Sequence, residues 1–200
     1  MENIEIHGIS RGAFLVRGAL ATGAAVGAAS VSPWVTRALA QEGGGDVDIL
    51  NFALTLEYLE ADFYRQASKL SLKGEYKGLA QEFGAHEQEH VEALRATIGQ
   101  LGGKPAAKPA FEFGLTSQAD FEKLAVTLED TGVSAYNGAA PLIRSKEVLA
   151  AAGSIVQVEA RHAGALRFLG GGMQPTNGPF DEPLSKKQVL AAVQPLIRAA

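Results

Sequence analysis

The chain has 200 residues, 46% of them hydrophobic and 20% charged, with a formal net charge of −4. That length and balance fit one globular domain with appendages, and mild acidity without a basic patch gives no reason to expect a nucleic-acid partner. There is no cysteine, which excludes disulfides, iron–sulfur clusters, a rubredoxin-type centre and thiol catalysis.

Residues 1–40 read as a targeting segment rather than as fold. Ser10-Arg11-Gly12-Ala13-Phe14-Leu15 resembles a twin-arginine export signal in which Gly12 replaces the second arginine. An uncharged Ala/Gly-rich run follows Arg17 as far as Thr36, and Ala38-Leu39-Ala40 has the small-x-small form of a cleavage site. The expected mature chain begins near Gln41 and is periplasmic or extracellular. The rival expectation is a retained anchor, since Gly18–Thr36 could span about 30 Å of hydrocarbon. Its glycines and alanines make it weakly hydrophobic, which favours cleavage and a mature protein free of the membrane.

After the flexible Gly43-Gly44-Gly45, helical periodicity predicts a first helix over about 46–71, capped by Asp46 or Asp48. Its inward stripe is Leu50, Ala53, Leu54, Glu57, Ala61 and Tyr64. Glu57 therefore lies on an apolar face, where an unpartnered carboxylate is costly. Glu60 reads as a neighbour of the site or as surface, and Asp62 as solvated on the far face. Gly74 marks a turn, and a second helix is expected over about 75–101 with Leu79, Phe83, Glu87, His90, Leu94, Ile98 and Leu101 inward. His86 reads as a histidine behind the ligands or along a channel rather than as a ligand itself.

Residues 102–115 show proline punctuation and no helical pattern. Loops of this length are uncommon in compact domains unless they have a task. Fourteen extended residues reach at most about 46–50 Å, against about 38 Å for a 25-residue helix, so this stretch can cross the length of a bundle. A third helix is expected over about 117–139, capped by Thr116 or Ser117, with Phe121, Leu124, Ala125, Leu128, Glu129, Gly132 and Tyr136 inward and Asp130 outward. Pro141 ends it. A fourth, over about 145–169, turns Leu149, Ala152, Ile155, Glu159, His162, Leu166 and Leu169 inward. Residues 170–183 form an irregular tail. Ser185-Lys186-Lys187-Gln188 then has the form of a capping box opening a short helix whose Val189, Ala192, Val193 and Leu196 dock on the bundle or on another subunit.

The four long helices are two copies of one hairpin. Glu87-Gln88-Glu89-His90 recurs 72 residues later as Glu159-Ala160-Arg161-His162, and the same offset carries Glu57 onto Glu129, Tyr64 onto Tyr136 and Ala93-Leu94-Arg95 onto Ala165-Leu166-Arg167. Residues three apart share a helix face, so Glu87 converges with His90 and Glu159 with His162. Two helices giving one glutamate each and two giving Glu-x-x-His supply the ligand set of a di-iron or di-manganese carboxylate bundle, with donors that suit Fe or Mn.

On these motifs the chain resembles the ferritin-like superfamily over residues 46–170, and with its export signal it looks most like the exported, desiccation-associated group. The resemblance implies an all-α four-helix bundle with one long crossover between the second and third helices, a signal segment over 1–40, the bundle over 41–170, and a tail with a short helix over 171–200. It implies two metal ions, Fe or Mn, held by Glu57, Glu87, His90, Glu129, Glu159 and His162. Glu87 and Glu159 would bridge, Glu57 and Glu129 would be terminal, and each histidine would bind one ion. Tyr64 and Tyr136 would hydrogen-bond the ligand carboxylates or line the pocket. The expected activity is oxidoreduction of dioxygen, peroxide or ferrous iron in stress protection, in a chain that could form a homo-oligomer. A metal-stabilised structural protein, iron storage and a metal-free bundle are the alternatives.

Overall fold

A computed structural model describes residues 45–172 and 174–198; the export motif, the cleavage site and their consequences fall outside them. The described chain is helical: α1 Asp46–Ala67, α2 Glu75–Gln100, α3 Gln118–Ala139, α4 Lys146–Leu169 and a short α5 Lys186–Val193. Among the described residues there is no strand, only a bridge between Phe111 and Ile197. None of the described helices is long and apolar enough to cross a membrane.

The helix ends follow local chemistry. Ser117 Oγ accepts from the amide of Asp120, Ser145 Oγ from that of Val148, and Ser185 with Gln188 closes a reciprocal capping box, satisfying amides that a helix start leaves without partners. The α1 start differs from expectation. Its cap is Gly45, without a side-chain bond. The Asp46 carboxylate instead accepts from the amides of Arg144 and Ser145 at the α3–α4 corner, 2.8 Å each. Pro141 ends α3 as expected, in a 3-10 turn over Ala140–Leu142.

Short turns pair α1 with α2 and α3 with α4, and the two hairpins meet through α1 with α3 and α2 with α4. The crossover runs alongside α1. Asn51 holds Lys104 and Ala106, Asp62 accepts from Lys108, and Gln66 donates to the Phe111 carbonyl. It delivers the chain from the start of α1 to its end, where Gln118 accepts from the amide of Lys73. The third helix therefore descends antiparallel to α1, as a single crossover requires. Asp62 is thus no solvated residue of a far face. It is 5% exposed and bonded by Arg65, Gln66 and Lys108, because the crossover covers the side of α1 opposite the core.

Leu54, Phe63, Phe121, Ile98 and Leu166 are among the fully buried apolar side chains at the bundle's centre. Two inward stripes are out of register by a residue or two at their ends. Val148 is buried while Leu149 is 41% exposed, and Leu190 is buried in α5 where Ala192 is exposed. Leu101 is likewise 45% exposed, just past the end of α2. The α5 helix docks on α3 of its own bundle through Val189, Leu190 and Val193.

Candidate metal centre

The four carboxylates expected to meet do meet, midway along the bundle and with no solvent exposure: Glu57 on α1, Glu87 on α2, Glu129 on α3 and Glu159 on α4. His90 and His162, one helical turn after Glu87 and Glu159, turn Nδ1 into the same space. His90 Nδ1 lies 3.0 Å from Glu87 Oε2, 3.0 Å from Glu159 Oε1 and 3.2 Å from Glu57 Oε2. His162 Nδ1 lies 3.0 Å from Glu87 Oε1, 3.3 Å from Glu129 Oε2 and 3.8 Å from Glu159 Oε2. The two environments exchange under the 72-residue offset.

So do the outer contacts. Tyr136 Oη donates to Glu57 Oε1 at 2.5 Å, and Tyr64 Oη donates to Glu129 Oε1. Each tyrosine thus reaches across to the glutamate of the other repeat. One shell further out, Arg95 donates to Tyr58 and Arg167 to Asp130, again an offset-related pair. Asp130 is therefore outward-facing, as expected, but held by an ion pair.

Hydrogen bonds alone do not satisfy this cluster. One imidazole N–H has one proton to give, yet each Nδ1 is approached by three carboxylates. Glu87 Oε1 and both oxygens of Glu159 are buried without a hydrogen-bond partner, although two imidazole nitrogens lie within ion-pair distance, because those nitrogens aim elsewhere. A buried carboxylate in that condition is strongly destabilising unless a charge meets it. The ligand atoms of Glu57, Glu87, His90 and Glu159 lie within 4.8 Å of one another, and so do those of Glu87, Glu129, Glu159 and His162. The two groups share Glu87 and Glu159. The donor set is oxygen with imidazole and no thiolate, which suits Fe or Mn, and the orphaned oxygens are what a cation would engage. The cluster fits metal ions.

The protonation states express the same frustration. Burial pushes Glu57 up to about 7, against the pull of its hydrogen bond to His90. Burial, then repulsion from Glu57 and Glu87, raises Glu159 well above the usual carboxylate range. Burial would raise Glu87 too, but the His162 and His90 imidazoles beside it outweigh burial and hold the group at about 2. Burial disfavours charge on the imidazoles, yet the carboxylates prevail and raise His90 to about 12 and His162 to about 9. Both tyrosines are pushed well above their ordinary value by burial and then by the glutamate each one faces.

His86 does not enter either ligand group. Its Nδ1 lies 3.0 Å from Nε2 of His162, the rings parallel to within 4°, and Phe83 stacks on His162 with centroids 3.9 Å apart. This clamp orients His162 from behind, and its sequence signal was only the position of His86 one turn before His90. Of the two places the sequence left open for Glu60, beside the site or on the surface, the structure takes the first. The side chain is 3% exposed, on the inner face of α1 beside the cluster, rather than on the surface. Burial, followed by repulsion from Glu159 and Glu129, raises it well above the carboxylate range.

A four-helix bundle with a single crossover and carboxylate–imidazole ligands on all four helices is the architecture of ferritin-like proteins. Residues 45–171 match the family of the ferritin-like domain, and the chain belongs to that family. No curated protein sequence matches it. Among solved structures it resembles a conserved hypothetical protein from Mycobacterium tuberculosis, at 20% identity and a TM-score of 0.58, covering 64% of this chain and 98% of that one. It also resembles a two-domain protein from Anabaena variabilis containing DJ-1/ThiJ/PfpI-like and ferritin-like domains, at 21% identity and a TM-score of 0.56. That match covers 80% of this chain but 48% of the other. At these identities the likeness speaks for the fold.

Proposed function

We propose that this chain is an exported di-metal protein whose two Fe or Mn ions carry out oxidoreduction of dioxygen, peroxide or ferrous iron. The observation that carries this reading is the pair of four-residue ligand groups sharing Glu87 and Glu159, with the buried oxygens of those two glutamates lacking hydrogen bonds. Two divalent ions bring four positive charges to four glutamates, which removes the frustration without protonating them. Glu87 and Glu159 would serve both ions and set their separation. Glu57 with His90 would complete one position, and Glu129 with His162 the other.

Bound there, a pair of redox-active ions supplies the capacity to exchange two electrons with an oxygen species. The protein's own part is to hold and orient. Tyr136 and Tyr64 fix the outer oxygens of Glu57 and Glu129, leaving the other oxygen of each for the ion. His86 and Phe83 hold the His162 ring in plane, and the imidazole protons leave when the ions bind, since a ligating Nδ1 has no proton. Surrounding apolar side chains keep bulk water from the centre, which strengthens every charge interaction in it.

Metal analysis of protein purified from its native compartment, followed by rapid-mixing spectra with O₂, H₂O₂ and Fe²⁺, tests the reading. Two ions per chain and an oxidant-dependent absorption change are expected; fewer than two ions ends it. The completeness of burial favours one second reading, a redox-silent centre that ties four helices together as folding energy. Two ions without any response to oxidants would select it. Particles of shell size would select iron storage instead. Export is tested by fractionation and by the N-terminus of the mature chain, expected near Gln41.

A further inference from the structure

The repeat is broken at one inward position of the centre. Applying the 72-residue offset to Glu60 gives Gly132. Helices α1 and α3 run antiparallel, with Glu57 level with Tyr136 and Tyr64 level with Glu129, so residues 60 and 132 fall between these two contacts, where the repeats cross. A side chain from each would meet its own counterpart there. A Cβ built on Gly132 would stand 3.1 Å from Glu60 Oε1 and 3.8 Å from Glu159 Cγ and Oε2. The absent side chain of one repeat is the space that the Glu60 carboxylate fills.

We infer that Glu60 is a fifth carboxylate donor to the metal pair, admitted by Gly132, and that it makes two otherwise equivalent metal positions different. This rests on the di-metal reading above. The geometry supports it independently of charge: Glu60 is 3% exposed, lies on the same face of α1 one turn after Glu57, and points at the space beside Glu159, whose two oxygens have no hydrogen-bond partner. Its carboxylate is repelled by those of Glu159, Glu129, Glu57 and Glu87. Glu60 stands beside, not within, the two four-residue ligand groups, on the side of the centre where Gly132 leaves room for its carboxylate.

Titration of the metal-free chain with Co²⁺, followed by visible absorption and by calorimetry, tests the assignment without any turnover. The native chain is expected to bind two Co²⁺ in two resolved steps. Glu60→Gln keeps the shape and removes the anionic donor; it should weaken one of the steps by about tenfold or more and change the absorption of the ion concerned. Gly132→Ala leaves Glu60 in place but crowds its carboxylate, and should move the same step in the same direction. The mirrored double variant Glu60→Gly with Gly132→Glu returns the carboxylate from the opposite helix and should recover both steps, which a merely structural role of Glu60 would not predict. Two Co²⁺ bound by Glu60→Gln with native affinities and spectrum would overturn the role of Glu60 alone. A native chain that takes up no Co²⁺ would overturn the di-metal reading and this inference with it. Should Glu60→Gln fail to fold, Gly132→Ala and the mirrored variant decide the question.

Discussion

At the scale of single residues, the centre holds carboxylates that burial tries to protonate beside imidazoles that the carboxylates keep protonated. This has a definite pH signature in the metal-free protein. Glu57 rises from 4.5 unfolded to about 7 folded, so the native state binds more protons than the unfolded one and loses stability as pH climbs between those values. His162 rises from 6.5 to about 9; its contribution is complete below 6.5 and is lost as pH climbs through 9. Glu87 falls from 4.5 to about 2, so its contribution is lost as pH drops through that interval. Metal-free protein should therefore melt at its highest temperature near pH 4.5 and at steadily lower temperatures up to pH 9. Metal-loaded protein should show the reverse trend in relative terms, its advantage widening with pH as fewer protons compete for the ligands. Thermal melts with EDTA and with Mn²⁺ across that range check both. A second expectation concerns the tyrosines. Tyr136→Phe leaves a Glu57 oxygen buried without its donor and should cost about 1–3 kcal/mol in chemical denaturation, with Tyr64→Phe matching it through Glu129.

Among helices and loops, the difference between what the sequence shows and what it conceals is itself physical. Glu57, Glu87, His90, Glu129, Glu159 and His162 were legible because each occurs twice at one offset on an apolar stripe. Glu60 was legible only as a neighbour of the site or as surface, because its counterpart is Gly132 and the repeat gives it no echo. In the folded chain the glycine is the reason the glutamate fits. Asp46 and Asp62 were hidden differently: their partners, Arg144 with Ser145 and Lys108, lie 98, 99 and 46 residues away, and periodicity within one helix carries no information about a loop that later lies over it. The tail shows a similar dependence. Leu184 donates its amide to the Ser134 carbonyl, and a Cβ on Gly138 would stand 1.9 Å from the Leu184 carbonyl oxygen. Backbone cannot yield as a side-chain end can. Gly138→Ala should therefore dislodge residues 184–196 from α3 and cost about 1–3 kcal/mol, seen as faster amide exchange in α5 with the centre's metal content unchanged.

For the molecule as a whole, metal binding and folding are one equilibrium if the centre is as proposed, since ligands come from four helices. Chelation should lower the melting temperature of the whole bundle in a single transition, and the loss should scale with the logarithm of free metal concentration. The crossed contacts of Tyr64 with Glu129 and Tyr136 with Glu57 carry this further. Neither hairpin owns a finished centre: each brings two of the four glutamates on shared offset positions, one histidine, and a tyrosine whose natural acceptor is on the other. Severed within the crossover, the two fragments would each be left with acids that only the sister fragment and a shared ion could quiet. A cut chain of this kind should stay apart in EDTA and clasp together when Mn²⁺ is restored, the interlocked hydroxyls making the union selective for one half with its twin.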